Sequence, residues 1–179
     1  MAAGDRTDQL VIGLTGPLGS GVSTISHALK AHDFQRVSMS DPIKQELCKK
    51  EDLKEEETLW DEKHLPDFRK KLQDIGNERR AEDAAYWAKQ AIESINVNTD
   101  VVVDGIRNKA EVDEFRRCYP KFFLVGVNAP TQLRRERLVN SKYDGNLKSF
   151  ERDDKRDSDE DLDTGQQVEN VCSNRTTLL

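Results

Sequence analysis

Gln9-Leu10-Val11-Ile12-Gly13-Leu14-Thr15 runs straight into Gly16-Pro17-Leu18-Gly19-Ser20-Gly21-Val22-Ser23-Thr24. The first seven residues are a short apolar run with β-branched members, which reads as a buried strand. The next nine fit the phosphate-binding pattern G-x-x-x-x-G-K-[ST] at Gly16, Gly21 and Ser23. Such glycines let backbone N–H groups curl around a phosphate, and the helix that follows favours its charge. Val22, Ile25, Ala28 and Leu29 supply helical spacing after the turn. Gly16, Gly19, Ser20, Gly21, Val22, Ser23 and Thr24 are therefore candidate cofactor-binding residues, with Ser23 placed to hold magnesium. Val22 stands where the pattern has lysine, and valine cannot reach a phosphate. Two alternatives stay open: a nucleotide site with another cation, Lys44 or Arg107 first among candidates, and a glycine-rich turn with no ligand.

Working outward, Phe34–Met39 alternates and reads as a second strand, and Asp41-Pro42 offers a helix start with Asp41 as N-cap. Residues 51–63 are charge-rich. A long helical pattern covers 66–95, with Phe68, Leu72, Ile75, Trp87, Ala88, Ala91 and Ile92 as inward positions and Gly76 and Asp83 as points of interruption. Asp100–Asp104 is a continuous apolar strand ending in an acid, as in a sheet buried on both faces. Asn108 and Glu111 sit at capping-box spacing before a helix to Cys118. Lys121–Val127 reads as a further buried strand, and Pro130 starts a helix through Leu138. Strands alternating with helices imply βαβ units and a parallel sheet with helices on both faces, an α/β fold of three layers. Ligands in such sheets bind at the carboxyl ends of the strands.

Four more elements fall at those ends or beside them. Asp104, after Val101-Val102-Val103, is a candidate for catalysis or for holding magnesium, and Arg107 for holding a phosphate; the competing reading is a capped turn with a solvated arginine. Ser40, Asp41 and Lys44 follow the second strand, where an acceptor would face the sheet. Ser40 and Lys44 are candidate substrate-binding residues and Asp41 a candidate catalytic one, unless Asp41 is only a cap. Gln73, Asn77 and Arg80 share one helical face, fit to read a base or phosphate, or simply to meet solvent. Arg134, Arg135 and Arg137, then Arg152 and Arg156, form a basic series that could hold a small anion, with Arg134 a candidate for the nucleotide. The segment 140–165 could close over transferred phosphates as a lid, although its acidic run from Asp153 to Asp163 opposes anion binding.

Composition bounds these readings. The 179 residues fit one domain, with a core over 9–139. Apolar and charged residues each make up 35% and the net charge is −6, which disfavours an extended nucleic-acid surface. No apolar run approaches the roughly 18 residues of a membrane span, and the first residues carry no apolar signal region. Cys48, Cys118 and Cys172 form neither a disulfide framework nor a metal knuckle, so a cytoplasmic setting is expected. His27, His32 and His64 are scattered.

Taken in order, the glycine loop, Ser38-Met39-Ser40-Asp41-Pro42-Ile43-Lys44, Leu72-Gln73-Asp74-Ile75-Gly76-Asn77, Tyr86-Trp87-Ala88-Lys89 and Asp104-Gly105-Ile106-Arg107-Asn108 resemble P-loop kinases of the nucleoside-monophosphate-kinase superfamily. They are especially similar to bacteriophage-type deoxynucleoside monophosphate kinases, animal phosphomevalonate kinases and dephospho-CoA-kinase-like proteins. The resemblance implies a P-loop NTPase fold, use of ATP or a related nucleotide with Mg2+, and phosphoryl transfer to a nucleotide-like acceptor. With Gly165-Gln166-Gln167-Val168, the chain also resembles the N-terminal P-loop domain of deoxycytidylate-deaminase-like anti-phage proteins, which implies a deaminase partner or a homo-oligomer and a nucleotide-sensing role without catalysis. The zinc deaminase signature H-x-E…P-C-x-x-C is absent from this sequence. After Val171, where relatives supply a further strand, the sequence reads Cys172-Ser173-Asn174-Arg175-Thr176-Thr177-Leu178-Leu179, so a truncated, diverged or stand-alone version is expected.

Overall fold

The computed structural model describes residues 8–52 and 68–140, together with 150, 151 and 154. Most of the expected lid over 140–165, Arg152, Arg156, the Gly165–Val168 motif, Cys172, His64 and most of the charged stretch 51–63 lie outside the described residues. Four strands form the sheet: β1 (Leu10–Thr15), β2 (Gln35–Ser38), β3 (Val101–Asp104) and β4 (Lys121–Gly126). Their order is β2-β3-β1-β4, and every pairing is parallel. The helices described over their full length are α1 (Val22–Lys30), α2 (Asp41–Lys50), α3 (Phe68–Glu82), α4 (Tyr86–Glu93), α5 (Lys109–Cys118) and α6 (Thr131–Asn140).

The register assigns the two faces. Val11 pairs with Val101 and Gly13 with Val103, while Ile12 pairs with Val102 and Leu14 with Asp104. Because strand side chains alternate, Val11, Val101, Val103, Val37 and Leu124 share one face and join one apolar cluster with Leu47, Ile75, Trp87, Ala91, Val112 and Phe115 from the helices. Trp87 is 1% exposed, and its indole N–H donates to the Gly76 carbonyl at 3.0 Å. Burying such a side chain stabilises by about 2–3 kcal/mol, and the hydrogen bond keeps its one polar atom satisfied. The opposite face, carrying Leu14, Val102 and Asp104, is covered by α1, whose inward residue is a serine, Ser26. The α/β fold with helices on both faces is thus as the sequence implied.

The 66–95 pattern divides into two helices at one of its two expected points of interruption, and two other local expectations change. Gly76 stays helical, and the break comes at Asp83, whose carboxylate accepts from the Ala85 N–H at 3.0 Å and whose carbonyl accepts from the Tyr86 N–H at 2.9 Å. A short acidic side chain that captures a nearby backbone donor competes with the helix in this way. Ser40, not Asp41, is the N-cap of α2, and Asp41 is its first residue. Among the described residues the strand over 121–127 lies at the edge of the sheet rather than buried within it: Phe123 is 37% exposed and Val125 40%, with Leu124 between them buried. The expected capping box is present, with Asn108 and Glu111 each accepting from the other's backbone.

Candidate functional site at the carboxyl ends of the strands

The three candidate turns are stitched together by backbone hydrogen bonds. Ile106 N–H donates to Leu14 at 3.2 Å, Met39 N–H to Asp104 at 2.9 Å and Val127 N–H to Thr15 at 2.7 Å. From β1 the chain crosses β3 to reach β2, whereas from β3 it crosses β1 to reach β4. The connections therefore diverge between β1 and β3, the crevice where open α/β sheets bind ligands.

The first turn is shaped as a cradle. A methyl group at Gly16 would lie 2.7 Å from Ser20 Oγ and closer still to the Val127 carbonyl, so only glycine lets the loop fold this tightly. Gly21, the residue before α1, has φ 111°, a conformation that side chains rarely adopt. Two hydroxyls at the cradle are buried without a partner among the described residues: Thr15 Oγ1, in a residue with no exposure, and Ser20 Oγ, in a residue 5% exposed. An unpartnered buried polar group costs about 1–3 kcal/mol, and an anionic oxygen is what a hydroxyl donor at a helix N-terminus would take. No acidic residue occupies the first turn of α1 to cancel that field. Ser23 and Thr24 are exposed at its start and Val22 is half-buried. Gly19 contributes its carbonyl to Arg137, described below.

Asp104 is placed differently. Its carboxylate is 6% exposed, accepts from Ser26 Oγ at 2.7 Å and meets the Arg36 guanidinium at 2.6 Å. Arg36 Nε also donates to Ser26 Oγ at 3.0 Å. The sequence reading expected this carboxylate to meet magnesium. Here the same oxygen meets a positive charge from within the protein, and Ser23, the other residue expected at magnesium, is exposed at the start of α1. Neither Ser26 nor Arg36 was singled out from sequence; a serine on the inward face of an amphipathic helix was the available signal.

The remaining candidates divide into two groups. Asp41, Ser40 and Lys44 lie together at the start of α2, with Ser40 Oγ 3.0 Å from Ser38 Oγ. Burial raises the Asp41 pKa above the ordinary aspartate value, Lys44 and Arg36 pull it back, and the Asp104 charge pushes it up again. Gln73 and Asn77 are half-buried on α3, which packs on α2 with Ile43 against Gly76 and Arg79 bridged to Glu46 at 2.8 Å. Arg80, expected to read substrate, instead bridges to Glu111 at 3.2 Å. Glu111 has no exposure; its other oxygen accepts from the backbone N–H groups of Arg107 and Asn108 at 2.8 and 3.3 Å. Glu111 thus fixes the turn that carries Arg107, a role sequence reading assigned only to capping.

Arg134, expected at the nucleotide, is 6% exposed and wholly engaged. It donates to the carbonyls of Ala129 and Leu18 and to Thr131, and it forms a two-pronged ion pair with Asp154 beneath Phe150. It anchors α6 to the glycine loop. Arg137, three residues on, is exposed and donates through one nitrogen to the carbonyls of Gly19 and Ser20 at 3.1 and 3.0 Å. Among the described residues no helix is long and apolar enough to cross a membrane, and no three His, Cys, Asp or Glu side chains are grouped to hold a metal ion.

This fold and turn define a P-loop kinase-like α/β protein. The phosphomevalonate kinase family matches residues 19–121, more than half the chain, and the chain belongs to that family. Among curated relatives, a UPF0200 protein of Sulfurisphaera tokodaii is 30% identical over 129 residues, covering 72% of this chain and 64% of its own length. One from Saccharolobus solfataricus is 29% identical over 153 residues, 84% of this chain and 74% of that protein. The chain thus spans less than two thirds of the Sulfurisphaera relative. Among solved structures, a gluconokinase from Sinorhizobium meliloti aligns with a TM-score of 0.51 at 15% identity, over 94% of this chain and 90% of that one. TT1252 from Thermus thermophilus aligns at 0.53 and 16% identity, over 81% and 78%. At those identities the likeness is one of fold.

Proposed function

We propose that this chain binds the phosphates of a nucleoside triphosphate such as ATP in the Gly16–Thr24 turn and transfers the terminal phosphoryl group to a small phosphorylated or nucleotide-like acceptor. The observation that carries the reading is the pair of buried, unpartnered hydroxyls of Thr15 and Ser20 over the glycine turn, at the open N-terminus of α1. Ser23 Oγ would hold Mg2+ together with phosphate oxygens; the ion supplies charge neutralisation when bound. The acceptor would sit between the starts of α2 and α3, near Ser40, Asp41, Lys44, Gln73 and Asn77, with Arg107 presented from the third turn. Asp41, whose carboxylate is made more basic by burial, is the group there that could receive a proton from an acceptor hydroxyl. Membership of the phosphomevalonate kinase family supports a phosphorylated acceptor.

Val22 favours a second reading: a domain that senses a nucleotide, or docks on a deaminase or on another copy of itself, without transfer. Lysine at this position would stabilise the charge that develops on the moving phosphoryl group, and this loop lacks it.

The test is thermal unfolding with and without magnesium and a panel of nucleoside tri-, di- and monophosphates, followed by a transfer assay with any ligand that stabilises. A ligand at 100 times its dissociation constant adds about 2.7 kcal/mol. No shift with any nucleotide at millimolar concentration, from a cooperative baseline, would overturn transfer and nucleotide sensing alike and leave only docking without a nucleotide. A shift without transfer to any monophosphate or phosphorylated small alcohol would leave the sensing reading.

A further inference from the structure

The cation missing from the glycine loop has a counterpart on α6: the geometry points to Arg137 as the residue that takes over the work of the lysine replaced by Val22. The inference rests on the phosphate reading of the loop. Arg137 Nη1 donates to the carbonyls of both Gly19 and Ser20 at 3.1 and 3.0 Å. The same nitrogen would lie 3.8 Å from a Cβ placed on Gly21, the residue before Val22. The guanidinium therefore lies against the very peptides that form the cradle, although Arg137 is 116 positions or more from them in sequence.

Competing cations are already neutralised or otherwise tied. Arg36 is paired with Asp104 at 2.6 Å, Arg134 with Asp154, and Arg80 with Glu111 at 3.2 Å. Lys44 faces the Asp41 carboxylate, and Arg107 belongs to the third turn, given above to the acceptor. Arg137 meets carbonyl oxygens and, among the described residues, no carboxylate. A guanidinium carries five N–H donors in a fixed fork; two hydrogen bonds from one nitrogen leave the rest of the fork free. Carbonyls orient the group without cancelling its charge, and planar guanidinium suits phosphate oxygens in pairs. Arg134, locked into Asp154 and the Leu18 carbonyl, fixes the helix that carries it. A lysine inside the loop and an arginine leaning on it from outside are two routes to one positive charge beside the terminal phosphates. Monophosphates, which end short of that charge, would not sense it.

The experiment compares the parent chain with Arg137→Ala, Arg137→Lys, Val22→Lys and the Arg137→Ala/Val22→Lys double variant. Each is titrated with a nucleoside triphosphate and its monophosphate in the presence of magnesium, and the unliganded melting temperature is recorded. Arg137→Ala is expected to weaken the triphosphate by about tenfold or more, leaving the monophosphate and the unliganded melting temperature unchanged. Arg137→Lys should recover most of the loss, and Val22→Lys should restore binding in the Arg137→Ala background. Equal triphosphate affinity in parent and Arg137→Ala, or equal loss for both ligands, would overturn the assignment while leaving the phosphate reading intact. A parent chain that takes up no triphosphate would overturn the phosphate reading itself, and this inference with it.

Discussion

The turns after β1 and β3 lie side by side, joined through Ile106 and Leu14, yet they are finished in opposite ways. Around the third turn the two buried carboxylates are satisfied from within: Asp104 by Ser26 and Arg36, Glu111 by Arg80 and two backbone donors. Around the first turn the Thr15 and Ser20 hydroxyls are buried with no partner among the described residues, and a guanidinium rests on the loop with its charge uncompensated there. A turn whose polar groups are all answered is a scaffold. One that leaves donors and charge unanswered carries a cost that a ligand can offset. The third turn thus supports the first with polar groups already answered from within the protein.

The sharpest way to break this comparison is Glu111→Ala. It leaves Arg80 and two backbone N–H groups without their partner, and removal of one member of a buried ion pair costs about 3 kcal/mol or more. Urea unfolding should show a loss of that size. A loss too small to measure would mean that Arg80 is free to meet substrate. Asp104→Asn is the next largest. It keeps the shape but removes the charge opposite Arg36, and a hydrogen bond to a charged group contributes about 2 kcal/mol. The unliganded variant should be less stable by roughly that amount; a variant as stable as its parent would show the carboxylate idle, and so available to magnesium.

The smallest effect belongs to Asp41→Asn. Burial raises the Asp41 pKa, so the folded state holds the proton more tightly than the unfolded chain does. That contribution is fully present below the ordinary aspartate range and is lost as pH rises through the raised value. At neutral pH the ionised group is a burden, and the variant should melt slightly higher than the parent. At about pH 3, below the ordinary range, the two should converge. A variant that melts lower at neutral pH would show that the attraction of Lys44 and Arg36 outweighs the burial.

Much of the fold was legible because it rests on local pattern. The glycine spacing at Gly16 and Gly21, the apolar Val101–Val103 run ending in Asp104, and the Asn108–Glu111 capping box each encode their own conformation within a few residues, and each formed as read. Lys121–Val127 misled because an apolar run states that a strand is hydrophobic, not whether it has a neighbour on both sides. Of the two interruptions expected in the 66–95 pattern, Asp83 breaks it because its carboxylate captures a backbone donor, whereas Gly76 stays helical.

The sequence by itself determined the βαβ order, the phosphate-loop geometry and the absence of lysine at position 22. Only the tertiary structure decided which charges meet. Arg36 with Asp104, Arg80 with Glu111, Arg134 with Asp154 and Arg137 with the loop carbonyls are separated by 20 to 118 positions. Contacts of that kind leave no periodicity to read, because they follow from where the sheet and helices bring the side chains together.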